Sequence, residues 1–389
     1  MEKSDNRREQ NPSGGPKLMH RAKLREFSEV HSIASRVGRE QPTSSNLVRT
    51  KRSKVLLLAS FVASIVALIV FAQYAVSVWK LNRLAELTTI PTFTEQKVNY
   101  THTYLDTDTW PAIGGTVFDI EGDGIPEVFV TGAAGQPDLI LSYRDKAVVD
   151  ITEHLGLSSI AGATYDVHAL DVDLDGDDDL LLIRDDNLLL YVNVDGIFQE
   201  HRIPINVEKK AVPLSVSSDD IDNDGFPDIY ISTFIRKSLF KKGTFNDPSH
   251  RTANIVLHNN RDYTFTDITQ SSGLDFKQNT FYSRFVNIDN DEFVDLVVVP
   301  NTDRVQVYKN LGNSKFQRMA PLTDFGFWMG VAVGDIDGDG DNDIFLSNAG
   351  RSIPRFLLSG DARGDQPIDI GWRLLRNDGE FIFTNEPVP

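Results

Sequence analysis

Asp335-Ile336-Asp337-Gly338-Asp339-Gly340-Asp341-Asn342-Asp343 sets oxygen side chains at the first, third, fifth and ninth positions of a nine-residue stretch, with Gly at the sixth. The spacing recurs from Asp119 with Glu121, Asp123 and Glu127, and from Asp171 with Asp173, Asp175 and Asp179. It returns from Asp220 with Asp222, Asp224 and Asp228, and from Asn287 with Asp289, Asp291 and Asp295. Alternate carboxylates turn inward on a tightly curved backbone, and a carbonyl at position 7 completes an oxygen cage with the ninth-position carboxylate. An all-oxygen set suits a hard cation of flexible coordination such as Ca²⁺ and lacks the nitrogen or sulfur that zinc prefers. Such carboxylates repel one another without a cation. The reading is four or five Ca²⁺ sites; a metal-free Asp-Gly turn is the alternative for any single copy.

The copies differ. Gly124, Gly176, Gly225 and Gly340 supply the positive φ of a sharp turn at position 6, whereas the fourth copy has Glu292 there and Asn287 at position 1. The fourth loop is therefore expected to be strained, and the weakest or an empty site. The first uses the longer Glu121 and Glu127 and is expected to bind with altered geometry.

An EF-hand opens in the same way but closes with Glu at position 12 between helices. Position 12 here is Val130, Leu182, Ile231, Val298 or Leu346, and each loop is followed by a strand-like apolar run such as Leu180-Leu181-Leu182. The loops are predicted to sit in β-hairpins.

These loops and their strands resemble the FG-GAP/VCBS-type repeat of integrin α-subunit propellers and many bacterial surface proteins. The segment Trp328-Met329-Gly330-Val331-Ala332-Val333-Gly334-Asp335, with the later Leu374-Leu375-Arg376-Asn377-Asp378-Gly379, resembles the cartilage-acidic-protein (ASPIC/UnbV) branch. The resemblance, over roughly residues 114–384, implies a β-propeller with Ca²⁺ in its loops; relatives bind varied partners and usually close rings of seven blades.

Loop-to-loop spacings of 52, 49, 67 and 48 residues independently indicate a repeat architecture. After each of the later four loops comes an apolar run, an Asn- or Asp-containing turn and a second apolar run, as in Leu190-Tyr191-Val192-Asn193 leading to Phe198. One unit thus supplies about four short strands, one blade. The fold expected is all-β: a propeller of about five blades, up to seven if lead-in strands contribute, preceded by one transmembrane helix. Residues 236–251, a basic insertion with Phe and Pro, lengthen the third spacing and are expected to project from one face.

The chain divides by charge. Residues 1–54 carry a net +7, residues 55–79 no charge, and residues 80–389 a net −24. An acidic domain of this kind is not a generic nucleic-acid binder. Residues 1–54 read as a basic cytoplasmic tail, disordered over 1–17, with apolar residues at helical spacing over 18–39 that fit either an amphipathic membrane-surface helix or a transient one. Residues 55–79 are long enough to span a bilayer, and Arg49, Lys51, Arg52 and Lys54 before them should stay inside. An uncleaved signal anchor is expected, placing the C-terminal domain in the periplasm or outside the cell; cleavage near Ala75-Val76-Ser77 is the alternative. Residues 80–113 read as stalk and lead-in strand, with a sequon at Asn99-Tyr100-Thr101, and 114–389 as the propeller. With no Cys in 389 residues, the domain relies on its core and on metal rather than disulfides.

No serine-hydrolase elbow or zinc-protease motif occurs, and the paired carboxylates are accounted for by the loops. His168, Arg284 and Trp328 lie just upstream of loops two, four and five and are candidates for converging on a ligand in the central channel, or are ordinary strand residues. The function expected is an exported, membrane-anchored module binding protein or carbohydrate. A polysaccharide lyase or hydrolase and a scaffold subunit of a membrane complex are the alternatives.

Overall fold

In the computed structural model, the residues described are 114–386 apart from 121, 123, 158–162, 186, 241–246 and 352–367, together with 95–98, 100–102, 110 and ten residues between 62 and 75. Those ten are α-helical and exposed. Among the described residues no helix is long and apolar enough to cross a membrane. The expected tail and most of the expected span lie outside the described residues.

Five four-stranded antiparallel sheets follow one another along the chain. The first blade is β1 (Gly115–Phe118), β2 (Glu127–Val130), β3 (Leu139–Arg144) and β4 (Ala147–Asp150). The second is β5 (Thr164–Leu170), β6 (Asp179–Arg184), β7 (Asn187–Val194) and β8 (Ile197–Pro204). The third pairs β9 (Ala211–Asp219) with β10 (Asp228–Ile235), then, after the short β11 (Thr252–Ala253), adds β12 (Ile255–Asn259) and β13 (Phe265–Asp267). Past β14 (Lys277–Gln278), which pairs with β11, the fourth is β15 (Thr280–Val286), β16 (Asp295–Pro300), β17 (Gln306–Asn310) and β18 (Phe316–Arg318). The fifth follows β19 (Phe325–Gly326) and comprises β20 (Trp328–Gly334), β21 (Asp343–Asn348), β23 (Arg373–Asn377) and β24 (Phe383–Glu386), with β22 (Ile368–Asp369) pairing parallel to β19. Each acidic loop joins the first two strands of its blade, as the hairpin reading requires.

The second strand of each internal blade is buried on both faces, which is why Leu180–Ile183 and Leu296–Val299 read as unbroken apolar runs. Alternate residues serve opposite neighbours. Leu180 and Leu182 pack with Phe129 and Ile140 of the first blade, while Leu181 and Ile183 pack with Ile229 and Ile231 of the third. Tyr230 and Val256 meet Leu296 and Val298, and Val297 and Val299 meet Ile344 and Leu346. Innermost strands β1, β5, β9, β15 and β20 neighbour one another in that order. Each of the four interblade clusters joins consecutive blades; among the described residues none joins the fifth to the first.

The compact unit holding the propeller runs from Thr94 to Pro389, so it takes in part of the expected stalk. Trp110 explains this: its Nε1 donates to the Ile235 carbonyl at 2.6 Å, and its ring meets Phe234 and Phe240 edge-on. Phe240 belongs to the insertion after β10. It stacks on buried His250 with centroids 4.9 Å apart, so the described ends of that insertion fold back onto the propeller.

Candidate metal centre

The nine-residue loops share a wiring that follows from their carboxylate spacing. In the second, Asp171 at position 1 accepts from the backbone N–H groups of Asp175 and Gly176 at 3.1 and 3.0 Å. Asp220 does the same with Asp224 and Gly225 at 3.0 and 2.7 Å, and Asp335 with Gly338, Asp339 and Gly340. The fifth-position carboxylate accepts from the seventh N–H in loops two to five, as Asp175 does from Asp177 at 3.0 Å. The ninth-position carboxylate, almost fully buried, accepts from the second N–H, as Asp179 does from Val172 at 2.8 Å. In the first loop Glu127 reaches Ile120 N at 3.2 Å, and Asp119 accepts from Gly124 N at 2.7 Å. Glu121 and Asp123 lie outside the described residues.

Backbone demands exceed those anticipated. Position 6 has positive φ at Gly124, Gly176, Gly225 and Gly340, but position 4 does too, at Gly122, Leu174, Asn223, Asn290 and Gly338. Glu292 is not among the positive-φ residues, so the strain expected of the fourth loop does not arise; that loop keeps only the turn at Asn290.

Carboxylate oxygens gather within 4.8 Å of one another in Asp171/Asp173/Asp179, Asp220/Asp222/Asp224 and Asp335/Asp337/Asp339. Asp173 Oδ1 and Asp222 Oδ1 are buried without a hydrogen-bond partner in the protein. Hard oxygens left unpartnered beside other carboxylates fit a cation such as Ca²⁺. The electrostatics agree. Burial, against the opposing N–H groups of Asn193 and Val172 and reinforced by Asp173 and Asp175, pushes Asp179 up to about 7. Burial raises Asp228 and Asp295 to about 6.

Three blades bring a basic side chain to one register position facing the loop: His258, Lys309 and Arg376, with Val192 there in the second blade. His258 Nδ1 lies 2.9 Å from Asp228 Oδ1 and 3.6 Å from Asp222 Oδ2. Arg376 Nη1 is 3.9 Å from Asp337. Lys309 goes furthest: its ammonium bonds Asp289 and sits 3.0 Å from Asp291, with the Phe381 ring 5.6 Å away. Burial would raise Asp291, but the Phe293 N–H and Lys309 hold it below the usual carboxylate range. The fourth loop thus carries its own cation.

The residue after this position is an asparagine in blades two to five, which the sequence showed only as part of a turn. Its N–H donates to the ninth-position carboxylate of its own blade: Asn193 to Asp179, Asn259 to Asp228, Asn310 to Asp295 and Asn377 to Asp343, at 2.7–2.9 Å. In three blades its side chain crosses to the preceding blade. Asn259 Nδ2 donates to Val172 O at 3.1 Å, Asn310 Nδ2 to Ile221 O at 2.9 Å and Asn377 Nδ2 to Ile288 O at 2.7 Å. Loops also touch directly: Asn223 donates to Glu292 O at 2.8 Å, Asn342 to Asn287 O at 3.1 Å, and the Tyr263 hydroxyl to Asp173 at 2.8 Å.

Of the three channel candidates, two come into electrostatic reach of one another. Burial first, then the charge of Arg284, hold the His168 imidazole down to about 4, and Arg284 also acts on Asp219. Trp328 goes elsewhere, fully buried in the cluster between the fourth and fifth blades.

An FG-GAP-like repeat model matches residues 119–182, 171–231 and 287–346, spans that hold all five loops. A search of curated proteins returns no match. Among solved structures the chain is similar to an Agrocybe aegerita lectin described as specifically recognising non-reducing terminal N-acetylglucosamine. That likeness is 14% identity and TM-score 0.43 over 72% of this chain and 66% of that one. It is also similar to the V. cholerae biofilm matrix protein Bap1, at 14% identity and TM-score 0.37 over 69% of this chain and 38% of that one. The chain therefore spans less than two thirds of either relative, and likenesses this low carry no argument about activity. The matched repeats and the five blades make the chain an FG-GAP repeat propeller.

Proposed function

We propose that this FG-GAP repeat propeller is an exported, membrane-anchored interaction module whose loops are pinned by Ca²⁺. The observation that carries the reading is the coupling of the loops: hydrogen bonds between neighbouring blades join them into one surface. Cations held by Asp171, Asp173, Asp175 and Asp179, by the Asp220 and Asp335 sets, and by Asp119 with Glu127 would fix that surface for a protein or carbohydrate partner. The apolar, uncharged residues 55–79 and the basic flank before them support anchoring with the N-terminus in the cytoplasm and the propeller periplasmic or extracellular. The net −24 of residues 80–389 argues against nucleic acid as the partner.

The test is binding of the full-length chain in detergent to a panel of immobilised glycans and candidate envelope proteins, in Ca²⁺ and in EGTA. Retention of a defined ligand that disappears with EGTA is the expected result. Binding indifferent to chelation, or no binding across the panel, would count against the reading. A second reading, a polysaccharide-acting enzyme, draws on the electrostatic neighbourhood of His168, Arg284 and Asp219. Depolymerisation of an acidic polysaccharide that Arg284→Ala abolishes with Ca²⁺ binding intact would favour it.

A further inference from the structure

The repeat gives each residue four internal standards, and the terminal blades depart from them. The residue after the ninth loop position faces the preceding blade; Leu180, Ile229, Leu296 and Ile344 are all 0% exposed there, whereas Val128 of the first blade is 41% exposed. On the same face Val117 is 61% exposed and Tyr143, at the register position of the cross-blade asparagines, 46%. The second loop position faces the following blade. Ile120, Val172, Ile221 and Ile288 are buried in the four interblade clusters, whereas Ile336 of the fifth blade is 55% exposed. Next to it in this sense, Phe345 occupies the position that is fully buried as Phe129, Leu181, Tyr230 and Val297, yet is only half-buried, with exposed Trp372 edge-on at 5.9 Å.

Among the described residues there is therefore one unmet face of each kind: a leading face on the first blade and a trailing face on the fifth. All four junctions inside the chain join a trailing face to a leading face. We propose that the trailing face of one copy docks on the leading face of a second copy, continuing the interblade interface from chain to chain. The contact is apolar, Ile336, Phe345 and Trp372 against Val117, Val128 and Tyr143, and adds the burial that each internal junction already has. Because two different surfaces meet, the assembly is head-to-tail, and it either closes into a ring of copies or extends.

The absence of native cysteine gives a clean test on the full-length chain in detergent. Val128→Cys and Phe345→Cys variants, both at partly exposed positions, are prepared separately, mixed, and treated with a short bismaleimide. The expected product is a covalent dimer in the mixture that neither variant forms alone. A Val128→Cys/Phe345→Cys chain that links only within itself would show that the ring closes in one molecule and would overturn the proposal. So would a mixture that stays uncross-linked while each variant keeps the wild-type unfolding midpoint. Independently, mass by light scattering should fall to the single chain in a Phe345→Arg variant. A wild-type mass already at one chain across the concentration range also overturns the proposal.

Discussion

The side-chain Nδ2 of Asn377 donates to the backbone carbonyl of Ile288 at 2.7 Å, tying the fifth blade to the loop of the fourth. The same residue's N–H holds Asp343 at 2.8 Å, so one asparagine spans the acidic loop of its own blade and that of its neighbour. Its Oδ1 caps the local turn by accepting from Gly379 N, a role Asn193 plays for Gly196. Asn193 differs in one respect: its Nδ2 is buried without a partner. Asn377→Ala should therefore lower stability by about 1–3 kcal/mol, through a stranded buried carbonyl, and Asn193→Ala by clearly less. Urea unfolding midpoints of the two variants measure the difference; equal losses would mean that the cross-blade bond contributes nothing.

Removing divalent metal should destabilise the propeller. One site held at a hundredfold excess over its dissociation constant contributes roughly 2.7 kcal/mol, and several independent sites contribute in proportion. Thermal unfolding in Ca²⁺ and in EGTA should show a large drop in midpoint. An Asp337→Ala/Asp339→Ala variant should show a smaller drop on chelation, having one site fewer. A midpoint unmoved by EGTA would mean that the buried Asp173 and Asp222 oxygens are satisfied by water alone.

The fourth loop should be the exception, because the Lys309 ammonium already lies between Asp289 and Asp291. Lys309→Met removes that charge, and with it the cation 5.6 Å from the Phe381 ring centroid, while keeping an unbranched apolar side chain. The variant is expected to be less stable than wild type in EGTA, with two facing carboxylates unpaired. In Ca²⁺ it is expected to recover and to bind one more ion per chain by calorimetry. Unchanged stoichiometry would show that Asn287 and Glu292 disable the loop whatever occupies it.

Fold and loops were legible in the sequence because both rest on local spacing. Oxygen side chains at positions 1, 3, 5 and 9 and the apolar run after each loop mark a hairpin without reference to anything distant. The fourth loop's departure was also visible in Asn287 and Glu292, but the strain expected there does not arise, because the backbone avoids positive φ at Glu292. What spacing conceals is partnership across blades. Asn259, Asn310 and Asn377 each bond a carbonyl 87–89 residues upstream, and the turn they occupy looks complete without that bond. Trp110, beyond the expected edge of the domain, is likewise fixed by Ile235, 125 residues away. The His168–Arg284 neighbourhood could be anticipated from strand position, whereas the burial of Trp328 depended on which face of its strand met the fourth blade.

Asp166 on β5 should give the propeller a pH dependence separate from that of its acidic loops. Its Oδ2 accepts from Val216 N of the third blade at 3.1 Å and its Oδ1 from Val167 N at 3.0 Å. Burial outweighs these two bonds and raises its carboxyl to about 7. An unfolded aspartate titrates near 3.9. Between the two values the folded chain binds the proton that the unfolded chain has lost, so stability must fall as pH rises through that window. The contribution is full below about pH 4 and gone above about pH 7, opposite in sign to an aspartate held by a salt bridge. Denaturant midpoints from pH 5 to 8, at saturating Ca²⁺ to hold the loops constant, should decline for wild type and decline less for Asp166→Asn, which has no carboxyl to ionise. Parallel slopes in the two proteins would assign the dependence to other buried carboxylates.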